Sequence, residues 1–68
     1  MDSIGKIFKK RRKELKLTQL DVAEKLNINR VTYQGYESDK HKPDIDTLKK
    51  IADIYQLSLD YITGRFKY

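Results

Sequence analysis

Five polar residues that favour the position just outside a helix recur along this chain at short intervals: Ser3, Thr18, Asn29, Asp44 and Ser58. A side-chain oxygen at such a position accepts from an otherwise unpaired N–H of the first helical turn, so each marks a helix start. The intervals leave room only for helices of a few turns. After Ser3, Ile4, Ile7, Phe8 and Leu15 recur at helical spacing. Lys6, Lys9, Lys10, Arg12 and Lys13 fall on the other face, and this helix is expected to end near Lys16. Thr18 opens a second helix with Asp21 at its third position, where a carboxylate favours the positive helix end. Val22, Ala23 and Leu26 form its narrow apolar stripe, and Asn27 closes it because asparagine tolerates the left-handed backbone. Asn29 caps a third helix carrying Tyr33 and Tyr36 on one face. Residues 38–43 form a polar loop. Asp44 caps a fourth helix, with Ile45, Leu48, Ile51, Ala52 and Tyr55 expected to face inward. Ser58 caps a short fifth helix over 59–63, ended by Gly64.

No stretch alternates every second residue between turn signals, so strands are not expected. Pro43 is the only proline, and Gly5, Gly35 and Gly64 are the only glycines, which suits short turns. The fold class is therefore all-α: a compact bundle of five short helices with a central helix-turn-helix, one domain over residues 1–64 and a tail over 65–68. A domain of this size buries only about 60% of its unfolded surface, so its core is thin. The absence of cysteine excludes a disulfide framework and a thiolate metal site. No apolar run approaches the ~18 residues of a membrane span. The N-terminus turns basic after Asp2 without an apolar core, unlike a signal peptide, so a cytoplasmic location is expected.

The net charge of +5 points to a polyanionic partner, nucleic acid before anionic membrane. The most informative stretch is 18–37, two short helices joined by a tight turn. Ala23 is small where the helices must cross, and Ile28 plugs the turn. The polar residues opening the third helix have no packing role. They sit at the end that a helix-turn-helix inserts into the major groove.

These residues resemble the lambda-repressor-like, Cro/C1-type helix-turn-helix proteins. Thr18-Gln19, Leu26-x-Ile28-Asn29-Arg30, Tyr36-Glu37, Lys42-Pro43-Asp44, Leu48-Lys49-Lys50-Ile51-Ala52 and Leu57-Ser58-Leu59-Asp60-Tyr61-Ile62 match the family pattern in order and spacing, over about residues 4–64. The resemblance implies that Gln19 contacts a phosphate, and in some cases a base. It implies that Asn29, Arg30, Val31, Thr32 and Gln34 form the DNA-facing start of the recognition helix. Arg30 has the geometry to hold guanine O6 and N7 together, or to bind a phosphate without reading sequence. Thr32 is a donor to base or phosphate, and its methyl or Val31 suits a thymine methyl. Lys40 and Lys42 match loop positions that lie against phosphates. Arg12 and Glu37 match a partly buried salt bridge tying the first helix to the end of the recognition helix. Tyr33 and Tyr36 are candidate stacking platforms, although their helical spacing favours core packing.

The chain also departs from the pattern. Asn27 stands where the turn often has glycine, and Arg11 where an apolar residue is common. Asp39 replaces a loop glycine and weakens the local positive field. Gly35 replaces a long polar side chain that often reaches bases, leaving either a lost contact or a closer backbone approach to DNA.

The expected function is a sequence-specific transcriptional regulator of bacterial or phage type, a repressor, binding double-stranded DNA as a homodimer, because one recognition helix reads few base pairs. Ile54, Leu59, Tyr61, Ile62, Phe66 and Tyr68 are candidates for the dimer patch, or for closing the core. The alternative is an antitoxin-like module whose main partner is a protein, since one fold serves several functions. No nucleophile–base–acid set and no metal-ligand cluster are visible, and His41 is a lone loop histidine. Neither an enzyme nor a cofactor is expected.

Overall fold

A computed structural model describes residues 3–58. The described residues form four helices: α1 (Ile4–Glu14), α2 (Gln19–Leu26), α3 (Arg30–Glu37) and α4 (Ile45–Tyr55). No strand occurs among them. The expected fifth helix over 59–63, the domain end at Gly64 and the tail over 65–68 lie outside the described residues.

Each helix starts where its cap chemistry predicts. Ser3 Oγ accepts from the Lys6 N–H at 3.2 Å, Asn29 Oδ1 from Val31 at 2.7 Å, and Asp44 Oδ1 from Thr47 at 2.8 Å. At α2 the exchange is reciprocal: the Asp21 N–H donates to Thr18 Oγ1 at 3.0 Å, and the Thr18 N–H donates to Asp21 Oδ2 at 2.8 Å. This satisfies two orphan donors of the first turn. These backbone bonds also hold the Asp21 and Asp44 carboxyls below the usual aspartate range.

The helix ends are less conventional. Lys16, Asn27, Asp39 and Gln56 have φ of 59°, 58°, 63° and 55°, the left-handed region that favours glycine. Each closes the same double bond. At α3 the Lys40 N–H donates to the Gly35 carbonyl at 2.9 Å and the Asp39 N–H to the Tyr36 carbonyl at 3.3 Å. At α1 the Leu17 N–H reaches back to Arg12 and the Lys16 N–H to Lys13. Such pairs satisfy carbonyls that the ending helix leaves open. The first helix thus stops at Glu14, two residues before the expected Lys16, because Lys16 is spent in turning the chain.

The core joins all four helices. Phe8, Val22, Ala23, Tyr33, Ile51 and Tyr55 are fully buried, with Leu26, Leu48 and Ala52 nearly so. The Phe8 and Tyr55 rings meet at 6.0 Å in a tilted arrangement. The buried hydroxyls of Tyr33 and Tyr55 hydrogen-bond to each other, which removes the cost of placing two phenols in an apolar interior. Both are therefore core residues, and Tyr33 is not a stacking platform; Tyr36 packs half-buried against the core, edge-on to Tyr33. Ile45 does not face inward as its periodicity suggests. It is 59% exposed at the first position of α4, and the inward stripe begins at Leu48.

Two contacts set the position of α3 against α1. A Cβ added to Gly5 would lie 2.3 Å from the Glu37 carbonyl oxygen and 2.7 Å from that of Tyr36, so only glycine lets the two backbones touch. The Gly5 N–H also donates to Asp39 Oδ1 at 3.0 Å. Asp39 thus caps α1 with its side chain while turning the end of α3 with its backbone. Arg11, at a position where an apolar residue is common, donates from Nε to the Tyr55 carbonyl at 2.8 Å and so closes the end of α4.

Candidate nucleic-acid interface

The site is built on a buried ion pair. Arg12 Nε donates to Glu37 Oε2 at 2.7 Å, and Arg12 Nη2 donates to Oε1 at 3.1 Å. The two side chains are only 11% and 4% exposed, and the pair is bidentate. Arg12 Nη1 also donates to the Leu17 carbonyl at 3.0 Å, in the α1–α2 connection. Gln19 Nε2 donates to Glu37 Oε1 at 3.0 Å. One carboxylate therefore joins α1, the α1–α2 connection, the start of α2 and the end of α3. Burial pushes Glu37 toward the neutral acid, but hydrogen bonds from Arg12 and Gln19, the adjacent Tyr33 hydroxyl and the charge of Arg12 outweigh it. Its carboxyl is held below the usual glutamate range. The Arg12 guanidinium is pushed up, chiefly by its bonds to Glu37.

This brace fixes the far end of α3 and leaves its near end free. At about 100° per residue, Arg30, Val31 and Gln34 fall on one strip of the helix, and all three are exposed, Val31 to 65%. Thr32 is half-buried at the margin. Tyr33 and Glu37 face the interior. Asn29 is exposed, but its Oδ1 is committed to the cap, so it orients the helix start. Gln19 is half-buried, with its amide nitrogen already bonded to Glu37. Lys40 and Lys42 are exposed on the loop after α3.

Gly35 is buried, although the helix alone would leave it beside the exposed strip. The His41 ring lies over it: an added Cβ would stand 2.3 Å from His41 Cδ2. The backbone approach that glycine permits here is therefore to this loop residue. Ile54, the one dimer-patch candidate within the described residues, packs half-buried against the core; Leu59, Tyr61, Ile62, Phe66 and Tyr68 lie outside them.

Sequence reasoning missed several of these links. The Gln19–Glu37 bond, the Tyr33–Tyr55 hydroxyl pair and the His41–Gly35 contact join residues far apart in the chain or in loops. Their only trace is a polar atom on an otherwise inward face, as in the two tyrosines.

Residues 8–62 match a family model described as helix-turn-helix. The chain belongs to the Cro/C1-type helix-turn-helix family. It is 43% identical over 63 residues to the HTH-type transcriptional regulator ImmR of Bacillus subtilis, covering 93% of this chain and 50% of that protein. It is 36% identical over 62 residues to the immunity repressor protein of Bacillus phage phi105, covering 91% of this chain and 43% of the repressor. The transcriptional repressor RstR of the cryptic phage CTXphi from Vibrio cholerae is 36% identical over 55 residues, covering 81% and 49%. The chain spans about half the length of the curated relatives it matches. Within this helix-turn-helix family, α2 and α3 are the motif's two helices. No helix among the described residues is long and apolar enough to cross a membrane.

Proposed function

We propose that this chain is a sequence-specific double-stranded DNA-binding module of a transcriptional repressor, placing α3 in the major groove. The observation that carries the proposal is the division of α3. Arg30, Val31 and Gln34 stand free on one strip, while Glu37 at the other end is locked to Arg12 and Gln19. A rigid support with an exposed polar start is what groove reading requires. Relatives named as repressors support the same reading.

In this reading Arg30 faces guanine O6 and N7, Val31 a thymine methyl, and Gln34 a base edge or phosphate. Asn29 sets the angle of the helix start, and Thr32 contacts the groove wall. Gln19 has two amide hydrogens. Glu37 takes one, which leaves the other directed to a phosphate. Lys40 and Lys42 add phosphate contacts from the loop. The module acts as a homodimer on a repeated half-site, because one recognition helix spans too few base pairs for selectivity.

Selection of bound duplexes from a random pool tests this directly. A recovered site with two half-sites about one helical turn apart is expected. Log affinity should fall with log salt at a slope of about −0.9 per phosphate neutralised. Gln19→Ala and Lys42→Ala should weaken all duplexes alike. Failure to enrich any sequence would overturn specific binding. A protein that stays monomeric on its selected site would overturn the dimer.

A further inference from the structure

The strip that starts α3 does not end at Gln34. Gly35 lies one helical turn beyond Val31, on the same side of the helix. It carries no side chain, yet the surface there is not bare. The loop after α3 turns back through Asp39 at φ 63°, and both the Lys40 and His41 N–H groups donate to the Gly35 carbonyl, at 2.9 and 3.2 Å. This double anchor fixes the His41 backbone over the helix. Its imidazole then occupies the space a residue-35 side chain would fill: an added Cβ would be 2.3 Å from Cδ2 and 3.3 Å from Nε2. His41 itself remains exposed, and neither ring nitrogen has a partner among the described residues.

We infer that His41 is a specificity residue that stands in for the missing side chain at position 35 and offers an imidazole N–H to a base-edge acceptor in the major groove. The inference rests on the DNA-binding reading above. Three features support a role beyond packing. The ring lies over Gly35, one helical turn from Val31 of the exposed strip. Its carbon edge rests on the glycine, which keeps ring nitrogens available. The flanking Lys40 and Lys42 are exposed cations that would bring the phosphate backbone close to this loop. The imidazole is rigid and has few rotamers to lose, so one hydrogen bond from it costs less ordering than one from a long flexible side chain.

The test measures the affinity of the intact chain for the duplex it selects from a random pool, and for an unrelated duplex of equal length, at one salt concentration. His41→Ala should weaken the selected duplex about 5- to 10-fold, the loss of one base contact, and the unrelated duplex less than about 2-fold. Methylation interference should disappear at a single purine in each half-site. Gly35→Ala should give the same loss, because its Cβ displaces the ring, and the thermal transition of both variants, measured alongside, separates a lost contact from a folding defect. The His41 ring resonances should shift on adding the selected duplex. Unchanged affinity in His41→Ala would reduce the ring to packing and overturn the inference. An equal loss on both duplexes would make His41 a phosphate contact and overturn it as a specificity residue. If the unsubstituted chain binds neither duplex, the DNA-binding reading fails, and the inference falls with it.

Discussion

The two faces of α3 obey different rules although they belong to one helix of eight residues. The outward face carries Arg30, Val31 and Gln34, all exposed to solvent. The inward face is buried, and its polar side chains are claimed: Glu37 by Arg12 and Gln19, the Tyr33 hydroxyl by Tyr55. A single helix can thus separate stability from recognition around its axis. Substitutions on the inward face should change folding, and those on the outward face should change binding.

The sharpest break in that separation should come from Glu37. Glu37→Ala strands the Arg12 guanidinium in a nearly closed site, which typically costs about 3–5 kcal/mol. In a domain this small the substitution should abolish most of the cooperative thermal transition. Glu37→Gln keeps the shape and should retain more. The same residue sets an acid limit. Its folded-state carboxyl is held low by Arg12 and Gln19 against burial. Its stabilising contribution is therefore full above the ordinary glutamate range and is lost as pH falls through the lower folded value. Asp21 and Asp44, also held low, act in the same direction. Denaturation curves from neutral to strongly acidic pH should show a decline that is shallower in Glu37→Gln but not absent. An identical acid profile in the two proteins would remove Glu37 from its place at the centre of the brace.

Arg30→Ala is the complementary case. It should leave the melting temperature within error, because the side chain is exposed and its removal opens no cavity. It should reduce binding to the selected duplex by about 1–3 kcal/mol and relax preference at one base pair. Equal losses on selected and random duplexes would turn Arg30 into a phosphate contact and shorten the reading strip.

Tyr33→Phe tests the buried face with a smaller perturbation. It removes one hydroxyl and leaves that of Tyr55 without its partner, at a cost of about 1–2 kcal/mol. Binding per folded molecule should be unchanged. Burial pushes the Tyr55 phenol up to about 12 and raises Tyr33 further. Their contribution is therefore full below the ordinary tyrosine range and is lost as pH rises through the folded values. The substitution should flatten that alkaline decline, which denaturant titration between neutral pH and pH ~11 would reveal. A decline as steep as in the unsubstituted chain would mean that other groups set the alkaline limit.

Legibility in the sequence followed the range of the interactions. Ser3, Thr18, Asn29 and Asp44 were readable as helix starts because a cap bonds within three residues of itself. The strip of Arg30, Val31 and Gln34 was readable because helical period alone puts it outside. Ile45 misled because period specifies a face and not whether the first turn on that face is covered. Gln19, Asp39 and His41 were opaque in another way. Each acts across a gap that only the assembled bundle closes, such as the 34 residues between Gly5 and Asp39. Helix ends were the least legible. Asn27 signals a left-handed turn by its chemistry, whereas the side chains of Lys16 and Gln56, which adopt the same backbone, carry no such signal.

Those helix ends yield the smallest effect, and it falls outside both faces of α3. Gln56 is exposed at φ 55° and ψ 44°, with its own N–H donating to Asp53 and that of Leu57 to Ala52. A residue with a Cβ pays about 1–2 kcal/mol for this conformation, and glycine does not. Glycine gives back part of the gain through the greater freedom of the unfolded chain. Gln56→Gly should therefore stabilise the domain by about 0.5–1 kcal/mol. At the usual 4–8 °C per kcal/mol for a chain of this length, that is a rise of roughly 2–8 °C in Tm. DNA affinity should not move, because Gln56 follows α4 and is not among the residues of the reading strip. A lower Tm would mean that the Gln56 side chain contributes more than its backbone costs. A changed affinity would mean that the end of α4 communicates with α3, and the separation of folding from recognition would then be incomplete.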